Sequence, residues 1–420
     1  MRYMLYLDTR ELTPERDEEL LAGIKSGHKI VLATPTPNIF RWHQIDHIIN
    51  TPVGKYDIAE TQILDYIKKH SLDIAGVVYW KDREIELAHR LTNKLGLVGN
   101  SLDSVLCVRN KVQTRKMIDE VGDFNPKYAV IEKENDIINA SKTIKTPCLL
   151  KPAGNSGSRG IVKVTNQAEL DTAYRLYTER NDPAAGEMYG YYREQFLMEE
   201  ELQGTEHSIA GLVANGKVYI TAITDKKFDR KLLMQYMGIV PSLLPHETQQ
   251  KLAEMANQVI TATKMLWGGF HLDVMLTTEG AKIMEVGGRL GGELINSYLI
   301  PLAYSGFSPY DAFINISQGK IPSIEPMGYV QRPSMQAAAL IIIPPSTGLI
   351  NKVNGLYAVS KHPAVRLVHQ RLGPGCRTYL PQERFKQFEI AYLVFQCPLE
   401  EDISALSSEI TELIDVEMKD

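Results

Sequence analysis

The stretch His271–Glu293, HLDVMLTTEGAKIMEVGGRLGGE, constrains the fold of this chain most, because two strand-like runs flank a turn and end on a glycine-rich approach. Leu272 to Leu276 and Ile283 to Val286 are apolar-rich, and Thr277-Thr278-Glu279-Gly280 between them reads as the turn of an antiparallel hairpin. A three-residue turn closed by Thr277 and Ala281 sets Asp273 opposite Glu285. The two carboxylates then become cross-strand neighbours, with Cβ atoms about 5 Å apart. Like charges so placed repel unless a cation lies between them, and oxygen ligands on rigid strands suit Mg²⁺ completed by substrate phosphates. Arg289 stands four residues after Glu285, beyond Gly287-Gly288, where backbone and ligand come close. Paired acids also occur on solvated hairpin faces, so the segment alone leaves both readings open.

At 420 residues the chain is too long for one ordinary core and predicts two or three domains. Lys+Arg 46 against Asp+Glu 51 gives a net charge of -5, so neither nucleic acid nor an acidic membrane is an expected partner. Cys107, Cys148, Cys376 and Cys397 have no metal-binding spacing and fit unpaired thiols of a reducing compartment. The longest apolar run, Ala337 to Ile343, stops at Pro344-Pro345, too short for a membrane span, and the expected location is cytoplasmic.

The first ~110 residues alternate strand-like runs (Tyr3 to Leu7, Lys29 to Ala33, Ile74 to Trp80) with helical periods (Glu15 to Lys25, Ala59 to His70, Ile85 to Leu95), the pattern of a parallel α/β sheet. Such sheets place ligands at the carboxyl ends of their strands, so Asp82 reads as a substrate contact or as a helix N-cap. From Cys148 the chain reads as a strand ending in Lys151, a glycine-rich loop Gly154–Gly160, and a strand Ile161 to Val164. Three glycines and two serines in that loop offer a row of backbone N–H groups to phosphate oxygens, or simply a flexible turn. Strands are expected at Phe196 to Leu202, His207 to Val213 and Val218 to Ile223, and a helix over Thr248 to Met265. A C-terminal unit has strands at Met335 to Ile343, Val365 to Gln370 and Ile390 to Gln396 and a closing helix over Glu401 to Val416.

Asn110-Lys111 with Arg115, Lys151-Pro152, the Gly154–Gly160 loop, Glu199-Glu-Glu-Leu-Gln-Gly-Thr-Glu206, Asp273 and Glu285-Val-Gly-Gly-Arg289 follow one another in this order. That order resembles the ATP-grasp superfamily over essentially the whole chain. The resemblance implies an α/β fold with α+β central lobes: an N-terminal parallel α/β domain (1–110), an ATP-grasp domain (111–330) with a lid at about 125–202, and a C-terminal α/β domain (331–420). It implies ATP and Mg²⁺ as cofactors, one or two ions, with Mn²⁺ able to substitute. Lys111 and Lys151 would meet the nucleotide phosphates, and Ser156, Gly157, Ser158 and Gly160 would belong to a flap over the γ-phosphate. Glu199 and the backbone of Glu200 and Leu202 would face the adenine edge, and Glu206 the ribose. Asp273 and Glu285 would hold metal. Gly287 replaces an asparagine ligand of many relatives, which leaves a second ion one ligand short. Arg289, with Lys151, would act on the transferred phosphoryl group.

Within the superfamily, Gly-Gly-Arg-Leu-Gly-Gly-Glu293 and the C-terminal unit resemble carboxylate-amine ligases of the L-amino-acid ligase type. Gly292 would leave room for substrate, Glu293 would hold its ammonium group, and His271 reads as a site residue or a packed core histidine. The implied reaction joins a small carboxylic acid to an amine through an acyl-phosphate, with a homodimer allowed. An ATP-grasp carboxylase or formyl-phosphate-type transferase, and a non-catalytic nucleotide-binding protein, are the alternatives.

Overall fold

A computed structural model of the chain describes all residues except 1, 37–43, 158, 181–190, 230, 233, 325–332, 382–383, 385–386 and 420. The N-terminal strands β1 (Tyr3–Leu7), β2 (Lys29–Thr34), β3 (His47–Asn50) and β4 (Ile74–Tyr79) form a parallel sheet in the order β3-β2-β1-β4. Met4–Leu7 and Ile30–Ala33 are fully buried, as expected of strands covered on both faces. Helices α1 (Thr13–Lys25), α2 (Tyr56–His70) and α3 (Ile85–Leu95) lie where the apolar periods predict. The short edge strand β3 has no such signature in the sequence.

Two helices, α4 (Leu102–Arg109) and α5 (Lys111–Val121), meet at Asn110, whose Oδ1 accepts from the Val112 amide at 2.9 Å as the N-cap of α5. The kink puts Arg109 and Lys111 on either side of one residue. The lid is an antiparallel sheet of β5 (Tyr128–Ile131), β6 (Cys148–Pro152), β7 (Val162–Val164) and β8 (Phe196–Glu200), in the order β5-β8-β6-β7.

A larger sheet takes β9 (Thr205–Ala214), β10 (Lys217–Asp229), β11 (Met234–Val240), β12 (Trp267–Thr277), β13 (Gly280–Gly287) and β14 (Met335–Ile342). After β15 (Gly348–Asn354) it gains β16 (Val365–Gln370) and, beyond β17 (Arg377–Thr378), β18 (Ala391–Pro398). Its order is β13-β12-β9-β10-β11-β14-β18-β16. The sheet therefore crosses residue 330: Met237 pairs with Leu340 and Val240 with Ala337. The expected closing helix is shorter, Ile403–Glu412, and β19 (Asp415–Lys419) follows it to pair with β15. All four cysteines are free. No helix among the described residues is long and apolar enough to cross a membrane.

Candidate active site

Asp273 and Glu285 are register partners on β12 and β13, as the hairpin predicts, but by a different path. Thr277 pairs with Gly280, so the turn has two residues rather than three, and a bulge between Asp273 and Val274 restores the register lost. The carbonyls of Ile283 and Met284 at the bulge accept from the Arg115 guanidinium, both at 2.9 Å. Arg115 thus fixes the irregularity that aligns the acids.

Each acid has a lysine against it. Lys111 Nζ lies 3.2 Å from Glu285 Oε1 and donates to the Asn155 carbonyl at 2.7 Å. Lys226, on β10, lies 2.9 Å from Glu206, 3.3 Å from Asp273 and 3.9 Å from Glu293, with its side chain only 7% exposed. Burial disfavours its charge, yet the carboxylates of Asp273, Glu293 and Glu206 overcome this and hold the ammonium well above its ordinary range. Burial likewise opposes charge on Asp273, but Lys226, His271 and the Ser208 hydroxyl keep its carboxyl below the usual range. The sequence reading misses Lys226, because Thr-Asp-Lys-Lys-Phe-Asp looks like a charged strand end and its partners come from β9, β12 and the loop after β13.

Glu199 lies buried between two cations. Its side chain is 1% exposed, with Arg115 Nε at 2.7 Å on one oxygen and Lys151 Nζ at 2.7 Å on the other. Although burial pushes its pKa up, the two cations bring it down to about 2. Each oxygen therefore faces one cation, and Glu199 links Lys151 of β6 to Arg115 of α5. Of the neighbouring side chains, Glu200 accepts from the Lys127 amide at 2.7 Å, and Glu201 pairs with Lys163 at 2.6 Å.

Arg289 grips Asp82 in a two-pronged pair, Nε at 2.9 Å and Nη2 at 2.8 Å from the same Oδ2. Burial would raise the Asp82 pKa, but Arg289 and then Arg109 hold it far below the carboxylate range. Asp82 opens a short 3₁₀ turn whose N-cap is Lys81, so it is not itself a helix N-cap, and its carboxylate is turned to Arg289. His271 Nδ1 donates to the Arg289 carbonyl at 3.0 Å, because a carbonyl only accepts. The imidazole lies flat against Gly287: a Cβ there would meet its Cε1 at 1.9 Å. His271 fills the place an asparagine side chain would need.

The loop after Arg289 is held from the N-terminal domain. Arg10 Nη2 donates to the Leu290 and Gly291 carbonyls at 2.6 and 3.1 Å, and Glu15 accepts from the Leu294 amide at 3.2 Å. These contacts stabilise consecutive left-handed residues, Glu293 (φ 62) and Leu294 (φ 63), and aim Glu293 toward Lys226. Gly292 is approached by Glu15 Oε1.

In the glycine-rich loop Ser156 is half-buried, Gly157 exposed and Gly160 buried, while Ser158 lies outside the described residues. Leu202 is half-buried just beyond β8. A cleft of about 390 Å³ opens beside Glu206 and is lined further by Lys226, Phe228, Tyr236 and Met275. That size and mixed lining are within the range of small-ligand pockets, about 300–1,000 Å³. One wall is stiffened by His207, whose ring contacts Thr205 Oγ1 at 2.8 Å and Asp225 Oδ1 at 2.9 Å.

The donor set fits Mg²⁺ supplied with a nucleotide, which needs only one or two carboxylates beside phosphate oxygens. Asp273 and Glu285 provide them on one sheet face. Among the described residues no group of three acids, histidines or cysteines converges on one point, and Gly287 brings no further ligand.

Residues 144–297 match the family model described as ATP-grasp domain. Over its full length the chain is similar to the crystal structure of L-amino acid ligase from Bacillus licheniformis, with a TM-score of 0.82, 18% identity, and coverage of 100% of this chain and 99% of that one. It is 29% identical over 201 residues to D-alanine--D-alanine ligase B of Pseudomonas syringae pv. tomato, spanning 46% of this chain and 58% of that protein. It is also 21% identical over 293 residues to carnosine synthase 1 of Homo sapiens, spanning 66% of this chain and 35% of that protein. The chain carries an ATP-grasp domain over residues 144–297 and shares the fold of the L-amino acid ligase structure along its whole length.

Proposed function

We propose that this ATP-grasp protein is an ADP-forming carboxylate-amine ligase, joining an amino acid or an amino-acid-like acid to an amine, in particular the amino group of an amino acid. One observation carries the reading: cationic side chains (Lys111, Lys226 and Arg289) surround a cross-strand carboxylate pair, each already gripping an acid of the site. Such a set suits a reaction whose difficulty is anionic charge on both partners rather than a lack of nucleophile.

A carboxylate does not react with amines because its oxygen is a poor leaving group. In the first step a carboxylate oxygen of the acid attacks the γ-phosphorus of ATP, and the bond to the β-phosphate oxygen breaks to release ADP. In the second the amine attacks the acyl carbon, loses a proton, and expels inorganic phosphate. Lys111 and Lys151 exchange their carboxylate partners for phosphate oxygens, and Arg289 leaves Asp82 to meet the transferred phosphoryl group side-on. Asp82, released, and Glu293 are the acids available to a substrate ammonium group. Asp273 and Glu285 would hold Mg²⁺, whose chemistry is to neutralise phosphate charge and orient the γ-phosphoryl group. The cleft beside Glu206 takes the nucleoside, with Phe228 and Met275 against the base.

Oxygen-18 placed in the acid's carboxylate tests the reaction. The expected result is label in released phosphate and ADP formation that requires both acid and amine. Label in AMP, or turnover that requires bicarbonate instead of an amine, would replace this reading with adenylation or carboxylation.

A further inference from the structure

Arg109, the last residue of α4, is 4% exposed. Its Nη1 donates to the Gly154 carbonyl at 3.3 Å, and its Cζ stands 5.7 Å from the centre of the Tyr191 ring. The other edge of the guanidinium, Nε and Nη2, is buried and meets no hydrogen-bond acceptor among the described residues. Charged donors sealed from water without acceptors are destabilising, so the structure keeps this edge at a cost. It is also the edge on which two parallel N–H groups take two oxygens of a carboxylate or phosphate.

The surroundings say where such an anion would lie. Consecutive carbonyls of the glycine-rich loop hold two cations side by side: Gly154 holds Arg109 and Asn155 holds Lys111. Lys111 reaches Glu285, and the charge of Arg109 acts on Asp82, the partner of Arg289. Arg109 therefore lies beside Lys111 on the loop carbonyls and within electrostatic reach of the Asp82–Arg289 pair. A cover lies over it. Tyr191 stacks on Tyr56 with ring centres 5.7 Å apart and donates to the Gly54 carbonyl at 2.8 Å, and Gly154 is a glycine because a Cβ would strike the Tyr191 carbonyl oxygen at 2.6 Å.

We propose that Arg109 is a further oxyanion-binding residue of the site, its open Nε–Nη2 edge receiving the oxygens of the substrate carboxylate, or of the phosphoryl group transferred to it, beneath Gly154. The assignment rests on the ligase reading for the identity of the anion, and its test does not require turnover.

Fluoroacetate and monofluorophosphate serve as bare carboxylate and phosphoryl probes, followed by ¹⁹F relaxation with the full chain in the presence of Mg·ADP. Arg109→Lys keeps the charge without the fork, and Arg109→Gln removes the charge. The expected result is binding of at least one probe weakened ~10-fold or more in both variants, as for loss of hydrogen bonds to a charged group, with Mg·ADP affinity retained. Loss of fluoroacetate binding assigns the edge to the substrate carboxylate; loss confined to monofluorophosphate assigns it to the phosphoryl group. Unchanged binding of both probes overturns the proposal, as does a parallel loss of Mg·ADP affinity, which would make Arg109 a structural bridge. Failure of the oxygen-18 transfer with these binding losses intact would reject the ligase reading and leave the anion site standing.

Discussion

At the scale of single residues the acid pair is the most exposed to test. Glu285→Gln removes a charge with little volume, so a near-normal fold and a kcat at least ~10²-fold lower are expected, since charge neutralisation at such a site supplies several kcal/mol. Steady-state kinetics at saturating ATP decides this, and wild-type turnover at ordinary Mg²⁺ would remove Glu285 from the metal site. Gly287→Ala probes the neighbouring pair. Its Cβ would overlap the His271 ring, whose nearest atoms lie 1.9 and 2.4 Å away, so the imidazole must leave the Arg289 carbonyl. A stability loss of about 1–3 kcal/mol by urea unfolding is expected, as for other overpacked sites. A variant as stable as wild type would show that the ring is free to turn away. The pairing of Asp273 with Glu285 was legible because a hairpin writes its register into adjacent residues, even though turn and bulge each departed by one residue from the simple count. Lys226 and Arg109 were not legible, because what makes them unusual is burial among groups far away in the chain.

At the scale of elements, α1 and the carboxyl ends of β1 and β4 enclose a charged cluster that the helical period alone does not reveal. Glu19 on α1 is fully buried, facing Arg10, Glu15 and Lys81, and its backbone carbonyl accepts from the Tyr6 hydroxyl at 2.7 Å. Burial raises the Glu19 carboxyl to about 8 against the pull of Arg10, and burial raises Glu84 to about 7. An unfolded glutamate titrates near ~4.3, so between there and the raised value the folded state binds more protons, and stability falls as pH rises through that window. Glu19→Gln removes this slope for one group. Thermal unfolding should show the variant gaining on wild type progressively from pH 5 to about pH 8. A gap that stays constant across that range would mean that Glu19 is charged in the folded protein at both ends. The same cluster fixes the loop carrying Glu293 through Arg10 and Glu15, so an element read as ordinary amphipathic helix also holds a loop of the candidate site.

For the whole molecule, the pairing of β11 with β14 matters most, and it was invisible in the sequence because strands separated by nearly a hundred residues leave no local sign of meeting. The resemblance and the strand pattern both put a division at residue 330, and the strands on either side of it belong to one sheet. Ending the chain after residue 324 would expose the backbone edge of β11 from Met237 to Val240. Light scattering should then show association, as for other long unprotected edges. A monomeric fragment with unaltered Mg·ATP affinity would instead make residues 331–420 a separable unit. The continuity has a mechanical consequence. The strands bearing Glu206, Lys226, Asp273 and Glu285 are laced into an eight-stranded plate that runs on to β16, so they form the stiff side of the machine. Lys151 and Glu199 ride on a separate four-stranded sheet, whose neighbouring Tyr191 latches onto Tyr56 of the N-terminal domain. Under the ligase reading, Lys151 of the small sheet and the acids of the plate would have to face one nucleotide across this contact, so loosening the Tyr191–Tyr56 latch is expected to slow turnover without altering a group that reacts.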